Sequence, residues 1–181
     1  MILDIVHYGS PVLRKRSTVV AAVTKDLLRL AGDMLETMYS AKGVGLAAQQ
    51  VGRLESLCVI DVPSDCDDEG DRKFNASVQM PLVMFNPSIV ALSGEQEGDE
   101  GCLSFPKIGC EVKRAKEATV RYTATDGSQK VATVRGFLAR AVQHETDHLK
   151  GILYIDRLEQ PARGKIEKKA MAVCRGNGGC E

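Results

Sequence analysis

The sequence carries no surplus of charge of either sign: 24 lysines and arginines balance 24 aspartates and glutamates. A field strong enough to draw DNA, other nucleic acid or a membrane surface is therefore not expected. No apolar run approaches the roughly 20 residues that span a bilayer. The opening Met1-Ile2-Leu3-Asp4-Ile5-Val6-His7 lacks the basic and apolar regions of a secretion signal, so a cytoplasmic protein is expected. No C-x-x-C occurs among Cys58, Cys66, Cys102, Cys110, Cys174 and Cys180. In a chain neither small nor signal-bearing, reduced thiols are expected, with one available as a ligand. Histidine is scarce, with only His7, His144 and His148. The glycine-rich stretch near residue 45 is no phosphate loop, because no Gly-Lys-Ser/Thr follows and the G-x-G-x-x-G spacing is missing. Internal repeats are also absent.

What is present is an ordinary globular composition, 44% hydrophobic and 27% charged over 181 residues, enough for one domain with a real core. Near its C-terminal end stands Gln143-His144-Glu145-Thr146-Asp147-His148-Leu149-Lys150-Gly151. The four-residue step of His-Glu-x-x-His is a helical step. It puts both imidazoles on one side, able to hold a single metal, with Glu145 beside them as a base for water. On a helical wheel, Phe137, His148, Ala141, Glu145, Leu138, Leu149 and Val142 occupy one half, and Arg140, Asp147, Gln143, Lys150 and Thr146 the other. Glu145 thus lies within the apolar arc, where an ionised carboxylate is costly unless it has a partner or a task.

Taken in order, Tyr8-Gly9-Ser10-Pro11 reads as a turn, and Arg14-Lys15-Arg16 as a solvated face. Thr24 reads as the N-cap of a helix whose core stripe is Leu27, Leu28, Leu30, Ala31, Met34, Leu35 and Met38, stopped at Lys42-Gly43. The loop Gly43-Val44-Gly45-Leu46-Ala47-Ala48-Gln49-Gln50 implies a backbone that approaches something closely. Leu57–Val62 reads as a buried strand with Cys58 in the core. Residues 63–80 read as an exposed acidic loop, without calcium-loop spacing. Strand character resumes on either side of Asn86-Pro87, and Gly94–Gly101 reads as a second acidic loop. Glu117–Ala124, the Asp126-Gly127 turn and Lys130–Val134 read as a hairpin. A helix over 137–150 with Gly151 beyond it, and a basic helix opened by Pro161, complete an α+β pattern. The tail from Gly176 to Glu181 reads as frayed.

A catalytic site on two histidines needs a third protein ligand. The position that holds a third histidine in metzincin-type proteases is Tyr154 here. Glu159 or Glu167 could serve, as in thermolysin-type peptidases, or a thiol could: Cys102, poised between an acidic loop and an apolar segment, before Cys110 or Cys58. A closed structural site would need a fourth ligand, such as Cys110 or His7.

Three stretches, Gly43–Gln50, Glu100-Gly101-Cys102-Leu103-Ser104 and Gln143–His148, resemble the three signature motifs of peptide deformylase, in the family's order. The resemblance extends over most of residues 1–160. It implies Cys102, His144 and His148 as ligands of one divalent metal, Fe2+ first, with Zn2+, Ni2+ or Co2+ as substitutes. It implies Glu145 as the base, and the Gln50 amide and Leu103 backbone N–H as oxyanion donors. Val44, Gly45, Phe137 and Ala141 are then expected to contact a formyl-methionyl nascent peptide. The expected fold is α+β, antiparallel strands around a central helix bearing the metal motif, with further helices at both ends. Residues 1–160 would form the catalytic domain, and 161–181 a basic helix and tail able to contact the ribosome. Glu100 and Arg114 are expected to pair beside Cys102. The acidic length of 63–80 and the Cys-bearing tail have no counterpart in the common bacterial pattern.

Overall fold

The computed structural model describes residues 1–176; the tail beyond Gly176, with Cys180, lies outside the described residues. Helix α1 (Lys25–Ser40) begins where expected, with the Thr24 hydroxyl accepting from the Leu27 N–H at 3.3 Å. That bond satisfies one of the free donors of the first turn. Leu30, Ala31, Met34 and Met38 are buried along one face. The helix closes with the Gly43 N–H bonded to the Met38 carbonyl at 2.9 Å. Lys42, rather than the glycine, takes the left-handed conformation there, at φ 57°.

Five antiparallel strands form the main sheet in the order β1 (Gly45–Ala47), β2 (Leu57–Ile60), β3 (Leu82–Ser93), β6 (Glu117–Thr123) and β7 (Gln129–Arg135). Strand β2 is apolar throughout because the sheet buries both faces. Leu57 and Val59 join the α1 core with Leu46 and Phe85, whereas Cys58 and Ile60 join a second core. That second core holds Leu138, Ala139, Ala141 and Val142 of helix α3 (Gly136–His148). Asn86, at φ 51°, and Pro87 bend β3 rather than divide it, and the register with β6 shifts there. Over the described residues the structure is thus α+β, with antiparallel sheets and four α-helices. Helix α4 (Ala162–Gly176) lays Ile166 and Ala170 on a third core around Phe105 and Tyr154. Among the described residues, no helix is long and apolar enough to cross a membrane.

Two sequence expectations are corrected. Gly94–Gly101 is not a loop: Gln96–Gly101 is strand β4, paired in register with β5 (Gly109–Arg114) as a separate hairpin. Its acidic residues stay in water on one side while Glu100 turns inward. Residues 63–80 are not simply an exposed loop. Asp68 caps the short helix α2 (Glu69–Asn75). Asp67 accepts from the Phe137 N–H at 2.7 Å, and Asn75 bonds both ways with the Arg135 backbone. A carboxylate at the positive end of a helix is favourable, so this acidic stretch holds the start of α3. The polar half of α3 is buried like the apolar half, including Arg140, Gln143, Thr146 and Asp147. Each has partners. Gln143 donates to the Ala115 and Ala139 carbonyls, and Thr146 to the Val142 carbonyl.

Candidate metal centre and active-site cleft

Helix geometry sets His144 and His148 one turn apart, their ring centroids separated by 5.0 Å. Strand β4 ends at Gly101, and the chain then turns, with the Phe105 N–H bonded to the Cys102 carbonyl at 2.8 Å. That turn aims the Cys102 sulfur at His148 Nε2, 3.4 Å away. Cys102, His144 and His148 each offer a ligand atom, all within 4.8 Å of one another, and the two imidazoles are buried. Among the described residues, no other group of three or more His, Cys, Asp or Glu side chains is so arranged. One thiol and two imidazoles are a donor set that suits a borderline divalent cation and leaves a tetrahedral position open. The residues fit a metal.

Each side chain is held from behind. His144 Nδ1 lies 2.9 Å from Glu100 Oε2. A carboxylate there fixes the ring so that Nε2 points into the cluster. Glu100 is gripped in turn by Arg114, Nε to Oε1 at 2.7 Å and Nη2 to Oε2 at 2.9 Å, and by Arg140 at 3.0 Å. Arg114 also reaches Asp147 at 2.5 Å, and Arg157 closes on Asp147 from outside at 2.6 Å. The expected Glu100–Arg114 pair is therefore present, inside a larger buried network. Gln50 is oriented too: its Oε1 accepts from the Ala47 N–H at 2.8 Å, and its Nε2 lies 3.3 Å from both the Cys102 sulfur and Ser104 Oγ.

Burial acts on Glu100, His144, Glu145 and His148 alike, and hydrogen bonds decide where it prevails. It pushes the Glu145 carboxyl up to about 7, because an ion there has lost its water. Glu145 Oε2 is buried without a hydrogen-bond partner. Burial also raises Glu100, but the hydrogen bonds from Arg114 and His144 outweigh it and hold Glu100 well below the ordinary carboxylate range. His148 is driven well below the usual imidazole value by burial and by the charge on His144. Burial lowers His144 as well, yet its bonds to Cys102 and Glu100 prevail and leave it well above that value.

In front of the cluster lies a cleft of about 660 Å³. Val44, Gly45, Gln50, Cys102, Leu103, Phe137, Ala141, His144 and Glu145 all line it, so the residues singled out in the sequence come together. His148 is the exception; it sits beneath the floor, almost fully buried. The glycine-rich loop explains itself here. A Cβ on Gly45 would stand 2.3 Å from Glu145 Oε1, and one on Gly43 would stand 2.7 Å from Leu103 Cδ1. Glycine lets the loop backbone lie against the carboxylate. Sequence reasoning missed Arg140, Asp147 and Ser104, whose partners lie far along the chain: 40 residues separate Arg140 from Glu100, and 33 separate Asp147 from Arg114. No local pattern signals such pairs. Ile108, Lys42 and Lys107 of the cleft lining were also missed. Glu159 is exposed and Glu167 pairs with Arg163 at 2.9 Å, so neither joins the cluster.

Fold and cleft together define a class, an α+β protein with a metal-capable cysteine–histidine cluster beside a buried carboxylate. Comparison with known proteins narrows the class. Residues 2–164 match the model of the polypeptide deformylase family. The peptide deformylase of Nitrosococcus oceani is 45% identical over 169 residues, covering 93% of this chain and 94% of that protein. The crystal structure of peptide deformylase from Ehrlichia chaffeensis superposes with a TM-score of 0.85 at 31% identity, covering 98% of this chain and 99% of that one. That from Thermus thermophilus superposes with a TM-score of 0.81 at 40% identity, covering 95% of each. The chain belongs to the polypeptide deformylase family. It is a metal-dependent hydrolase that removes the N-terminal formyl group from newly made proteins.

Proposed function

We propose that the reaction runs in the cleft described above, on the residues that meet at its inner end. Cys102, His144 and His148 hold one divalent metal, on a central helix α3 around which the strands are wrapped. When bound there, such a metal would supply Lewis acidity that lowers the pKa of a water molecule. Glu145 accepts the proton of the attacking water and later delivers it to the departing amine. A carboxyl with a pKa near neutrality suits both transfers. The Gln50 amide and the Leu103 backbone N–H donate to the oxygen that gains charge as the formyl carbon becomes tetrahedral. Gln50 is held by Ala47 in an orientation that leaves its N–H groups on the Cys102 side. Val44, Gly45, Phe137 and Ala141 receive the methionine and its backbone. Among the described residues strand β1 pairs on one side only, with β2, so an extended peptide has an edge to join.

Residues 1–160 act as the catalytic domain, and 161–181 form an extension whose exposed Lys165, Lys168 and Lys169 contact the ribosome as the substrate emerges. The work is done in the cytoplasm, on formyl-methionyl nascent chains. The metal is Fe2+, which a Cys-His-His donor set accepts although Zn2+ binds such a set more tightly.

The approach of three ligand atoms beside the unpartnered Glu145 Oε2 supports this reading most directly. Metal analysis of Cys102→Ala tests it. Loss of bound metal together with formate release is expected. Full metal content in the variant would return the third-ligand role to a carboxylate and the chain to an ordinary peptidase scheme.

A further inference from the structure

Among the described residues, three that are not glycine take a left-handed backbone: Lys42 at φ 57°, Asn86 at φ 51° and Lys107 at φ 62°. Asn86 is accounted for, since its side chain bonds the Val20 backbone in both directions, at 2.8 and 2.7 Å. The other two are lysines, and both line the mouth of the same cleft. Both stand where glycine is the least strained residue. Lys42 follows the last turn of α1, in the position that favours glycine when the next N–H reaches back five residues, as Gly43 does to Met38. Lys107 is the third residue of the turn Phe105-Pro106-Lys107-Ile108, closed by the Ile108 N–H on the Phe105 carbonyl at 3.1 Å. A left-handed third position after proline favours glycine. Backbone strain kept at a cleft points to a use for the side chain that bears it.

Both lysines are exposed, and among the described residues neither makes an ion pair. The acids of the cleft lining do not neutralise them. Glu100 is committed to Arg114 and Arg140, Glu145 is buried, and Asp99 is the one exposed carboxylate. The lining thus runs from a buried inner end at His144 and Glu145 to a rim carrying two free ammonium groups. Lys42 lies two residues before Val44, a residue of the proposed methionine site, and lines the same cleft. Strand residues rise about 3.3 Å each and alternate sides, which brings the following residues past the rim.

Resting on the deformylase reading, we propose that Lys42 and Lys107 select formyl-methionyl chains with aspartate or glutamate in the first residues after methionine. Attraction between exposed charges is modest. Two such contacts raise kcat/KM for an acidic peptide about 3- to 10-fold over a neutral one, and salt screens the gain.

The test compares formate release from formyl-Met-Asp-Asp-Ala, formyl-Met-Ala-Ala-Ala and formyl-Met-Lys-Lys-Ala by the full-length, metal-loaded protein. The expected order is acidic, neutral, basic, with the spread collapsing near 1 M salt. The double variant K42E/K107E should invert the order. K42G/K107G, in which glycine suits both left-handed positions and the fold is retained, should erase it. Equal kcat/KM values for acidic and neutral peptides in the wild type would overturn the proposal, as would a preference that survives in K42G/K107G. Formate from none of the peptides would overturn the deformylase reading, and this proposal with it.

Discussion

Replacing Gly45 by alanine adds one methyl group at the most crowded point of the cleft. The new Cβ would stand 2.3 Å from Glu145 Oε1 and 2.8 Å from its carboxyl carbon. Restoring even a 3.0 Å contact moves the carboxylate or the β1 backbone by about 0.7 Å. Neither yields easily: Glu145 is nearly inaccessible, and Gly45 is tied to Ile60 in the sheet. Gly45 does not have a positive φ, so the effect comes from contact and not from backbone strain. Misplacing a catalytic group by about an ångström costs roughly 10²-fold in rate. Overpacking of this kind destabilises by about 1–3 kcal/mol. Gly45→Ala should therefore retain the metal, melt a few degrees lower, and release formate about a hundredfold more slowly. Gly43→Ala is the control, because its Cβ meets the mobile end of the Leu103 side chain; a loss of no more than about tenfold is expected. Formate release by Gly45→Ala at the wild-type rate would refute the placement of Glu145 as the base.

Glu100 has a depressed pKa in the fold, so its contribution to stability is present above the unfolded carboxyl value of 4.5 and is lost as pH falls below it. The gap in urea stability between the wild type and Glu100→Gln should be wide at pH 7 and narrow progressively below about pH 4.5; a gap that widened on acidification would contradict the assigned bonds. Anaerobic reconstitution with Fe2+ should give higher kcat than Zn2+, and equal or greater activity with Zn2+ would count against iron. Changing Lys165, Lys168 and Lys169 to glutamate should weaken co-sedimentation with ribosomes while leaving hydrolysis of a short peptide intact. Unaltered co-sedimentation would remove helix α4 from the contact.

Much of this was legible in the chain because it is locally encoded. Thr24, the Leu and Met stripe and the stop near Gly43 delimit α1 by capping and periodicity alone. The Asp126-Gly127 hairpin and the His-Glu-x-x-His helix follow from turn chemistry and a four-residue step. What escaped depends on partners distant in sequence. Glu100 is expected to pair with Arg114, yet its acidic stretch reads as a loop; it is a buried strand residue because Arg140 and His144 meet it as well. Asp67 and Asn75 read as loop residues until the first turn of α3 supplies their N–H and carbonyl groups. The third ligand lies between these cases: spacing put Cys102 first among the thiols but left Glu159 and Glu167 open, and the turn after β4 brings the Cys102 sulfur to the histidines.

The central claim is that Glu145 moves the proton in a deformylation carried out at the Cys102–His144–His148 cluster. Formate release from formyl-Met-Ala-Ser by anaerobically purified protein, wild type beside Glu145→Ala, with metal measured in both, tests it most directly. The account predicts formate from the wild type and a loss of several orders of magnitude in a variant that still carries its metal. Comparable formate from both, or none from a metal-loaded wild type, would contradict it.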